Sequence, residues 1–201
     1  MRERPISFSA PMVQALLAGV KTQTRRTYKP RKHPDFGCEM AASELAREPK
    51  HVIERCCPYG APGDRLWVRE AFRGDSSHDR LPPSELPPAY AVRYEADGGV
   101  RAGLGEADGK RRPPMFMPRR LSRITLELTE VRLEQLGLIS IADCIAEGAQ
   151  PLPPDPACSQ VCPEDYVAGY RAIWERINGA GSWDANPWVW ALSFRVVNGA
   201  S

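Results

Sequence analysis

The chain has 201 residues, enough for one domain with insertions, whereas two domains would each lie near the lower size limit for an independent core. Its 20 prolines and 16 glycines place much of the length in loops and turns, which excludes a long-helix architecture. A formal net charge of +2 does not by itself indicate a nucleic-acid partner. No run of residues is apolar enough to cross a bilayer and no signal-like segment follows Met1, so we expect a cytoplasmic protein with no membrane partner.

The first element in chain order is a predicted helix over residues 10–17. Ser9 offers a hydroxyl cap, Pro11 suits the first turn, and Gly19 provides the stop. Residues 21–28 are too polar and too rich in threonine to continue this helix, and we predict an extended segment there.

Strands dominate the middle of the chain. A Pro-Gly-Asp turn starts one at residues 65–69, residues 90–96 alternate as a second, and residues 123–133 form the clearest strand. Between these elements we place insertions near residues 32–55, 74–90 and 97–113. The first insertion has room for a short helix at residues 40–48, and the third contains a glycine-rich hairpin.

Two helices precede a closing strand near the end of the chain. The spacing of Ser140 and Asp143 is that of a capping box, and the helix it opens is closed by Gly148. Residues 163–178 form an amphipathic helix whose apolar stripe includes Tyr170 and Trp174. Short strands that do not alternate regularly with helices predict an α+β fold, a small β-barrel with helices packed on it.

Residues 19–26 combine a lysine and two threonines with a pair of arginines. Lys21 beside a hydroxyl can act as base to a nucleophile if its surroundings remove its proton, and Arg25 and Arg26 suit a polyanionic substrate. The alternative is an edge strand on which these cations face water.

Positive charge is concentrated in two segments. Residues 1–35 hold eight Lys or Arg and two acids, and residues 110–123 hold six Lys or Arg and no acid. If the fold joins the two segments, they form a positive face able to hold a phosphate backbone, and otherwise they are ordinary solvated stretches.

The six cysteines are predicted to be free thiols, because the cytosol keeps them reduced. The close pairs, Cys56 with Cys57 and Cys158 with Cys162, have no histidine at zinc-finger spacing nearby. A structural zinc is the alternative, and we predict no metal and no organic cofactor.

Four motifs together resemble the ASCH domain, in particular its longer bacterial and prophage versions. They are LAGVKTQTRR at residues 17–26, PGDRLWVRE at 62–70, IAEG at 145–148 and NPWVW at 186–190. The resemblance implies a PUA-like β-barrel over residues 1–201. It also implies the activity of small bacterial members, removal of the acetyl group from N(4)-acetylcytidine, so that the partner is a modified nucleoside or a nucleic acid.

The resemblance also implies a catalytic group. Lys21 and Thr24 match the lysine and threonine of the family's G-x-K-T-x-T-x-R segment, and Glu147 matches a glutamate. Thr24 would attack the acyl carbon, Lys21 would accept its proton, and Glu147 would orient the lysine or pass a proton to the leaving amine. Burial would lower the pKa of Lys21 and an ion pair with Glu147 would raise it, and the sequence does not decide between them.

Further residues are candidates for substrate or nucleic-acid binding: Arg25, Arg26, Trp67, Glu70, Arg119 and Arg120. Trp67, Trp188 and Trp190 are able to stack on a base, although a core position is the alternative for each. Glu70 is able to bind a base edge or an arginine of the positive face, and the alternative is a solvated acid at a strand end. Long family members often carry a histidine where Phe116 stands and a tryptophan where Arg120 stands, so the substrate here can differ.

Two other functions are compatible with the sequence. One is an RNA- or DNA-binding ASCH module without catalysis, and the other is a ribonuclease. The oligomeric state is open.

Overall fold

The computed structural model describes residues 1–88, 90–98, 109–153 and 161–197. Its strands are β1 (Glu3–Ser7), β2 (Gln23–Thr27), β3 (Arg31–Lys32), β4 (Glu39–Met40), β5 (Arg65–Arg69), β6 (Phe72–Arg73), β7 (Arg93–Tyr94), β8 (Thr125–Gln135) and β9 (Trp188–Val197). Its helices are α1 (Ala10–Leu17), α2 (Ala42–Leu45), α3 (Lys50–Cys56), α4 (Ile141–Ala146) and α5 (Pro163–Asn178). The protein is therefore α+β, as predicted. Within the described ranges, no helix is long and apolar enough to cross a membrane.

The main sheet has five strands in the order β1-β5-β8-β9-β2. β1 and β5 run parallel, and the other neighbours are antiparallel. Among the described residues β1 and β2 share no backbone ladder, so the sheet has two edges and a closed barrel is not shown. These edges are linked by a side chain, because Arg26 Nη2 donates to the carbonyl oxygen of Ser7 at 2.9 Å.

A β-bulge in β8 explains how this long strand serves both faces of the sheet. Its register with β9 shifts between Leu128 and Glu130, so the strand has one extra residue there. Before the shift Leu126 and Leu128 face the main core, and after it Val131 does. The extra residue reverses the alternation, which simple period-two counting does not anticipate.

α4 and α5 pack at the β9–β2 end of the sheet. Tyr170 and Trp174 of α5 pack with Val189 of β9 in a separate hydrophobic cluster. The predicted capping box is confirmed, since Ser140 Oγ accepts from Asp143 N at 3.1 Å. The bounds of α5 agree with the predicted helix.

Other local predictions have mixed outcomes. α1 begins after Ser9 as expected, but the predicted hydroxyl cap is wrong, because the Ser9 side chain makes no capping hydrogen bond. The strand predicted at residues 90–96 is reduced to β7, since a 3₁₀ helix at Glu95–Asp97 follows it directly. The first insertion holds the β3–β4 hairpin and α2, and also α3, which was not predicted. Most of the predicted glycine-rich hairpin lies at residues 99–108, outside the described residues.

Candidate functional site

A cavity of about 390 Å³ lies at the free edge of β2, between the start of α1 and the end of α5. Its polar wall includes Thr24, Arg25, Arg26, Thr27, Lys29 and Glu147. Its apolar and aromatic wall includes Met12, Tyr59, Tyr170, Ile173, Trp174 and Ile177. Side chains alternate along a strand, so Thr24 and Arg25 start from opposite faces of β2, and both reach the cavity because β2 is an edge strand.

Lys21 and Glu147 form a buried pair beside this cavity. Lys21 is 1% exposed, so the alternative in which it faces water is wrong. Its Nζ donates to Glu147 Oε2 at 2.6 Å and to the Glu147 backbone oxygen at 2.8 Å. The sequence-distant lysine and carboxylate are therefore in direct contact.

Backbone contacts between the two segments hold this pair in place. Thr22 N donates to the carbonyl oxygen of Ala146 at 2.8 Å, which ties the start of β2 to the end of α4. Glu147 follows α4, and Gly148 then turns the chain with a φ of 83°. A Cβ at Gly148 would lie 3.4 Å from the Cβ of Ala15 and 3.6 Å from that of Lys21, so this turn combines a left-handed conformation with close packing.

Burial lowers the pKa of Lys21 below its ordinary value. The charge and hydrogen bond of Glu147 raise this pKa, and the nearby guanidinium groups of Arg26 and Arg25 lower it further. The sequence left open whether burial or the ion pair decides the pKa of Lys21. Loss of hydration lowers this pKa by more than the ion pair with Glu147 raises it. An amine with a lowered pKa is a better proton acceptor near neutral pH than an ordinary lysine.

Arg25 is buried and joins three acidic side chains, so it is not a solvent-facing cation at the mouth of the cavity. Its Nη2 lies 2.7 Å from Glu134 Oε1 and 3.1 Å from Asp143 Oδ2, and its Nη1 lies 3.4 Å from Glu147 Oε1. Nη1 also donates to Gln23 Oε1 at 2.6 Å. Arg25 therefore fixes the carboxylate that holds Lys21.

Tyr170 is a site residue that sequence reasoning assigned only to a core stripe. Its hydroxyl donates to Glu147 Oε1 at 3.2 Å, and burial raises the pKa of Tyr170 well above its ordinary value, so the phenol stays protonated. The signal available in the sequence was a tyrosine on an apolar stripe, because a buried phenol needs a hydrogen-bond partner.

Thr24 is buried in the wall of the same cavity as Glu147. Its Oγ1 accepts a hydrogen bond from Arg26 Nη1 at 2.7 Å. A guanidinium donor stabilises an alkoxide more than a hydroxyl, so this contact favours loss of the threonine proton. The Arg26 guanidinium also lies over the ring of Phe8 at 5.0 Å, which helps to hold it in this position.

The four remaining predicted binding residues do not line the cavity. Glu70 is buried and takes a two-point ion pair from Arg123, with distances of 2.9 and 3.0 Å. The alternative of a solvated acid at that strand end is therefore wrong, and Glu70 instead contacts an arginine of the second basic segment. Trp67 is buried, and the Arg69 guanidinium lies 4.6 Å from its ring.

Arg119 and Arg120 are also held by other parts of the chain. Arg119 pairs with Glu3 at 3.0 Å, which brings the two basic segments together at this point. Arg120 donates to the carbonyl oxygens of Leu86 at 2.6 Å and Pro87 at 3.1 Å. Phe116 is 51% exposed and lies outside the cavity wall.

The two remaining predicted stacking residues and the cysteines occupy other settings. Trp188 is half-buried at the start of β9 and does not line the cavity. Trp190 is buried in the main core, 5.8 Å from the ring of Tyr28. Cys56 and Cys57 are free and buried, and burial raises the pKa of Cys57 to about 11. Over the ranges that the structure describes, no group of three metal-ligating side chains is found.

Fold and site together define an α+β protein with a buried lysine–glutamate pair beside a cavity of about 390 Å³. A scan against family models found no match for this chain, and neither did a search of curated proteins. Among solved structures the chain is similar to protein EF3133 from Enterococcus faecalis V583, of the family DUF984. The two share 11% identity with a TM-score of 0.40, over 98% of this chain and 81% of that one. A similarity at this level assigns neither fold nor activity.

Proposed function

We propose that this protein is an amidohydrolase that removes an acyl group from the exocyclic amine of cytidine, with N(4)-acetylcytidine as its type substrate. The observation that carries the proposal is the buried contact of Lys21 with Glu147, in which the pKa of the lysine is lowered, beside a cavity that also contains Thr24. A hydrolase of this kind needs a nucleophile, a base and a donor for the leaving amine.

Lys21 is arranged to act as the base. A neutral amine has two N–H groups and one lone pair, and both donor bonds of Nζ go to Glu147, one to its carboxylate and one to its backbone. In the proposed mechanism the remaining lone pair takes the proton of Thr24. Glu147 is in turn held by Tyr170 and Arg25, so the amine has a fixed direction.

The proposed reaction proceeds in two halves. Lys21 takes the proton of Thr24 while Oγ1 bonds to the acyl carbon, and the carbonyl electron pair moves to its oxygen near Arg26. As the tetrahedral species collapses, the bond to the cytosine amine breaks and the proton passes through Lys21 and Glu147 to that nitrogen. Lys21 then takes a proton from water, and the water oxygen attacks the acyl carbon. This releases the acyl group as a carboxylic acid and restores Thr24.

The shape of the cavity supports a nucleoside-sized substrate. Its volume of about 390 Å³ lies in the range of ordinary ligand pockets. The aromatic side chains of Tyr59, Tyr170 and Trp174 offer flat apolar surfaces to a base, and the acyl-transfer groups lie at the β2 wall. These features favour a free nucleoside or a single nucleotide turned out of a strand.

We also propose membership of the ASCH family and a PUA-like barrel. Its support is the position of the four motifs, which fall at β2, β5, the end of α4 and the start of β9. The side-chain link between the two edge strands is what a nearly closed barrel would need. This assignment adds to the proposed reaction and does not replace the contacts on which the reaction depends.

Substitution of the nucleophile tests the proposal. We expect Thr24→Ala to lower kcat/KM for N(4)-acetylcytidine at least about 100-fold, because the attacking oxygen is gone. Thr24→Ser should retain part of the activity, since it keeps the hydroxyl. The matched control is Thr27→Ala, which removes another cavity threonine and should change the rate little. Cytidine release is measured by chromatography.

Two outcomes would contradict the proposal. One is a wild-type protein that releases no cytidine. The other is a Thr24→Ala variant as active as Thr27→Ala, which would remove Thr24 from the mechanism. Cleavage of RNA that is unaffected by Thr24→Ala would instead favour a ribonuclease that works elsewhere on the protein.

A further inference from the structure

The guanidinium of Arg25 contacts its three carboxylates at unequal distances. Its Nη2 lies 2.7 Å from Glu134 Oε1 and 3.1 Å from Asp143 Oδ2, whereas its Nη1 lies 3.4 Å from Glu147 Oε1. Bonds between ionised groups are stronger when they are shorter, so Arg25 is held mainly by Glu134 and Asp143. The weakest of the three contacts is the one to the acid that holds Lys21.

Glu147 lies between two cations. Its Oε2 is 2.6 Å from Lys21 Nζ, and its Oε1 is 3.4 Å from Arg25 Nη1. Positive charge near Oε1 weakens the electrostatic hold of the same carboxylate on Lys21. The two acids on Nη2 compensate the charge of Arg25, so less of that charge acts on Glu147.

We infer that Glu134 and Asp143 are positioning residues, which hold Arg25 and thereby leave the carboxylate of Glu147 to Lys21. Neither acid lines the cavity, so each acts on a ligand only through other side chains. The inference rests on the proposed function and deepens it, because it makes the strength of the general base depend on two acids outside the cavity.

The direction of the effect follows from the charges. Loss of Glu134 or Asp143 removes a negative charge from the surroundings of the Lys21 ammonium group and leaves Arg25 less compensated. Both changes disfavour the protonated amine, so each loss lowers the pKa of Lys21 further. An amine with a lower pKa is also a weaker base towards the nucleophile.

The other groups that face Lys21 do not obscure this effect. The guanidinium of Arg26 lowers the pKa of Lys21 and keeps its charge at any working pH. The hydroxyl of Tyr170 donates to Glu147, and burial raises the pKa of this phenol well above its ordinary value. The ring of Phe8, 5.8 Å from Nζ, carries no charge.

Glu130 provides a matched control on the same strand as Glu134. Each has its Oε2 3.7 Å from a guanidinium nitrogen of Arg132. Of the two, only Glu134 contacts Arg25. Glu130→Gln therefore removes the same charge from β8 without changing a contact of Arg25.

The pH dependence of hydrolysis tests the inference. We expect Glu134→Gln and Asp143→Asn each to move the acid limb of kcat/KM for N(4)-acetylcytidine to lower pH by about half a unit, with a plateau lower by about threefold. Glu130→Gln should leave the limb in place. A loss of stability alone would reduce the amount of active protein and would not move the limb. Because both acids contact the same nitrogen, Asp143→Asn carries the test if Glu134→Gln does not fold.

A second measurement does not depend on turnover. Of the five lysines in the chain, Lys21 is identified by NMR of protein with 13C-labelled lysine, as the signal absent from the double variant Lys21→Met with Glu147→Gln. We expect this signal to titrate at lower pH in Glu134→Gln and Asp143→Asn than in the wild type and Glu130→Gln. A Lys21 titration that is unchanged in both variants, or that moves to higher pH, would overturn the inference.

Failure of the proposed function would give a different pattern. N(4)-acetylcytidine would then stay intact while the Lys21 signal still responds to Glu134→Gln. Conversely, hydrolysis that depends on Thr24, with the same acid limb in the wild type, Glu134→Gln and Asp143→Asn, would retain the reaction and discard the positioning role.

Discussion

Two buried glutamates in this protein have similar burial and different chemical prospects. Glu70 and Glu147 are both almost inaccessible, and each contacts a cation. The cation at Glu70 is Arg123, which also pairs with Asp97 and cannot lose its proton under ordinary conditions. The cation at Glu147 is Lys21, whose pKa is lowered, and Glu147 itself lines a cavity.

The comparison teaches what separates a structural ion pair from a reactive one. The pKa of Glu70 is also shifted, in this case upwards by burial, so a shifted pKa alone does not identify a reactive site. The difference is the presence of a titratable cation and of space for a ligand. Arg123 also stacks on Tyr94 at 4.0 Å, which further commits it to the fold.

The largest effect is expected when Lys21 is changed. We expect Lys21→Met to lower kcat/KM for N(4)-acetylcytidine by about 1000-fold, because the general base is lost. The matched control is Lys29→Met, since Lys29 also lines the cavity but is exposed, and it should keep most of the activity. Rates are measured by release of cytidine.

Folding of the Lys21 variant needs its own control, because Glu147 loses its partner. The double variant Lys21→Met with Glu147→Gln removes both charges, and we expect it to fold and to be inactive. An active double variant would show that the Lys21–Glu147 pair is as structural as the Glu70–Arg123 pair.

A smaller effect is expected at the structural pair, on stability and not on rate. We expect Glu70→Gln to lower the free energy of unfolding by about 3 kcal/mol, because it leaves the Arg123 guanidinium without its two-point partner. Glu3→Gln, which breaks the exposed pair with Arg119, should cost less than about 1 kcal/mol. Urea unfolding measures both. A folded Glu70→Gln protein with greatly reduced kcat/KM would erase the distinction between the two glutamates.

The smallest effect concerns pH. Lys21 acts in its unprotonated form, so kcat/KM should rise with pH through the lowered pKa of Lys21. The positive charge of Arg26 contributes to that lowering, and Arg26→Gln should therefore move the acid limb of the profile to higher pH, by about one unit or less. Arg119→Gln should leave the limb in place. A limb that moves to lower pH in Arg26→Gln would contradict the assignment to Lys21.

Local signals predicted much of this fold. The bounds of α5, the capping box at Ser140 and the strand at residues 65–69 depend on neighbouring residues, and all three are confirmed. The residues of the catalytic prediction came from a motif resemblance. Their contact is between segments separated by 126 positions, which no local pattern could supply.

The residues whose setting differs from the sequence-based expectation show what local patterns lack, namely long-range contacts and final burial. A solvated Glu70 is the ordinary expectation because charged side chains are seldom buried, but the arginine that pairs with it lies 53 residues away along the chain. The sequence pattern assigns Tyr170 and Trp174 to an apolar stripe, and the cavity that both residues line exists only after α5 has packed near β2. Burial and ion pairing shift the pKa of Lys21 in opposite directions. Which of them prevails depends on how far Lys21 is buried in the folded protein, and a local sequence pattern does not give that.

The one-residue irregularity in β8 has a consequence for how this strand tolerates change in length. Residues on its two sides are out of phase, so Leu128 serves the core while Glu134 reaches Arg25 on the other side of the sheet. A deletion at that point would remove only the extra residue and leave Glu134 opposite Val189, whereas a deletion or insertion between the irregularity and Glu134 would turn this acid to the opposite face, away from Arg25. Replacements along β8 act one position at a time, whereas such a change in length would uncouple hydrophobic packing from the charge network around Glu147.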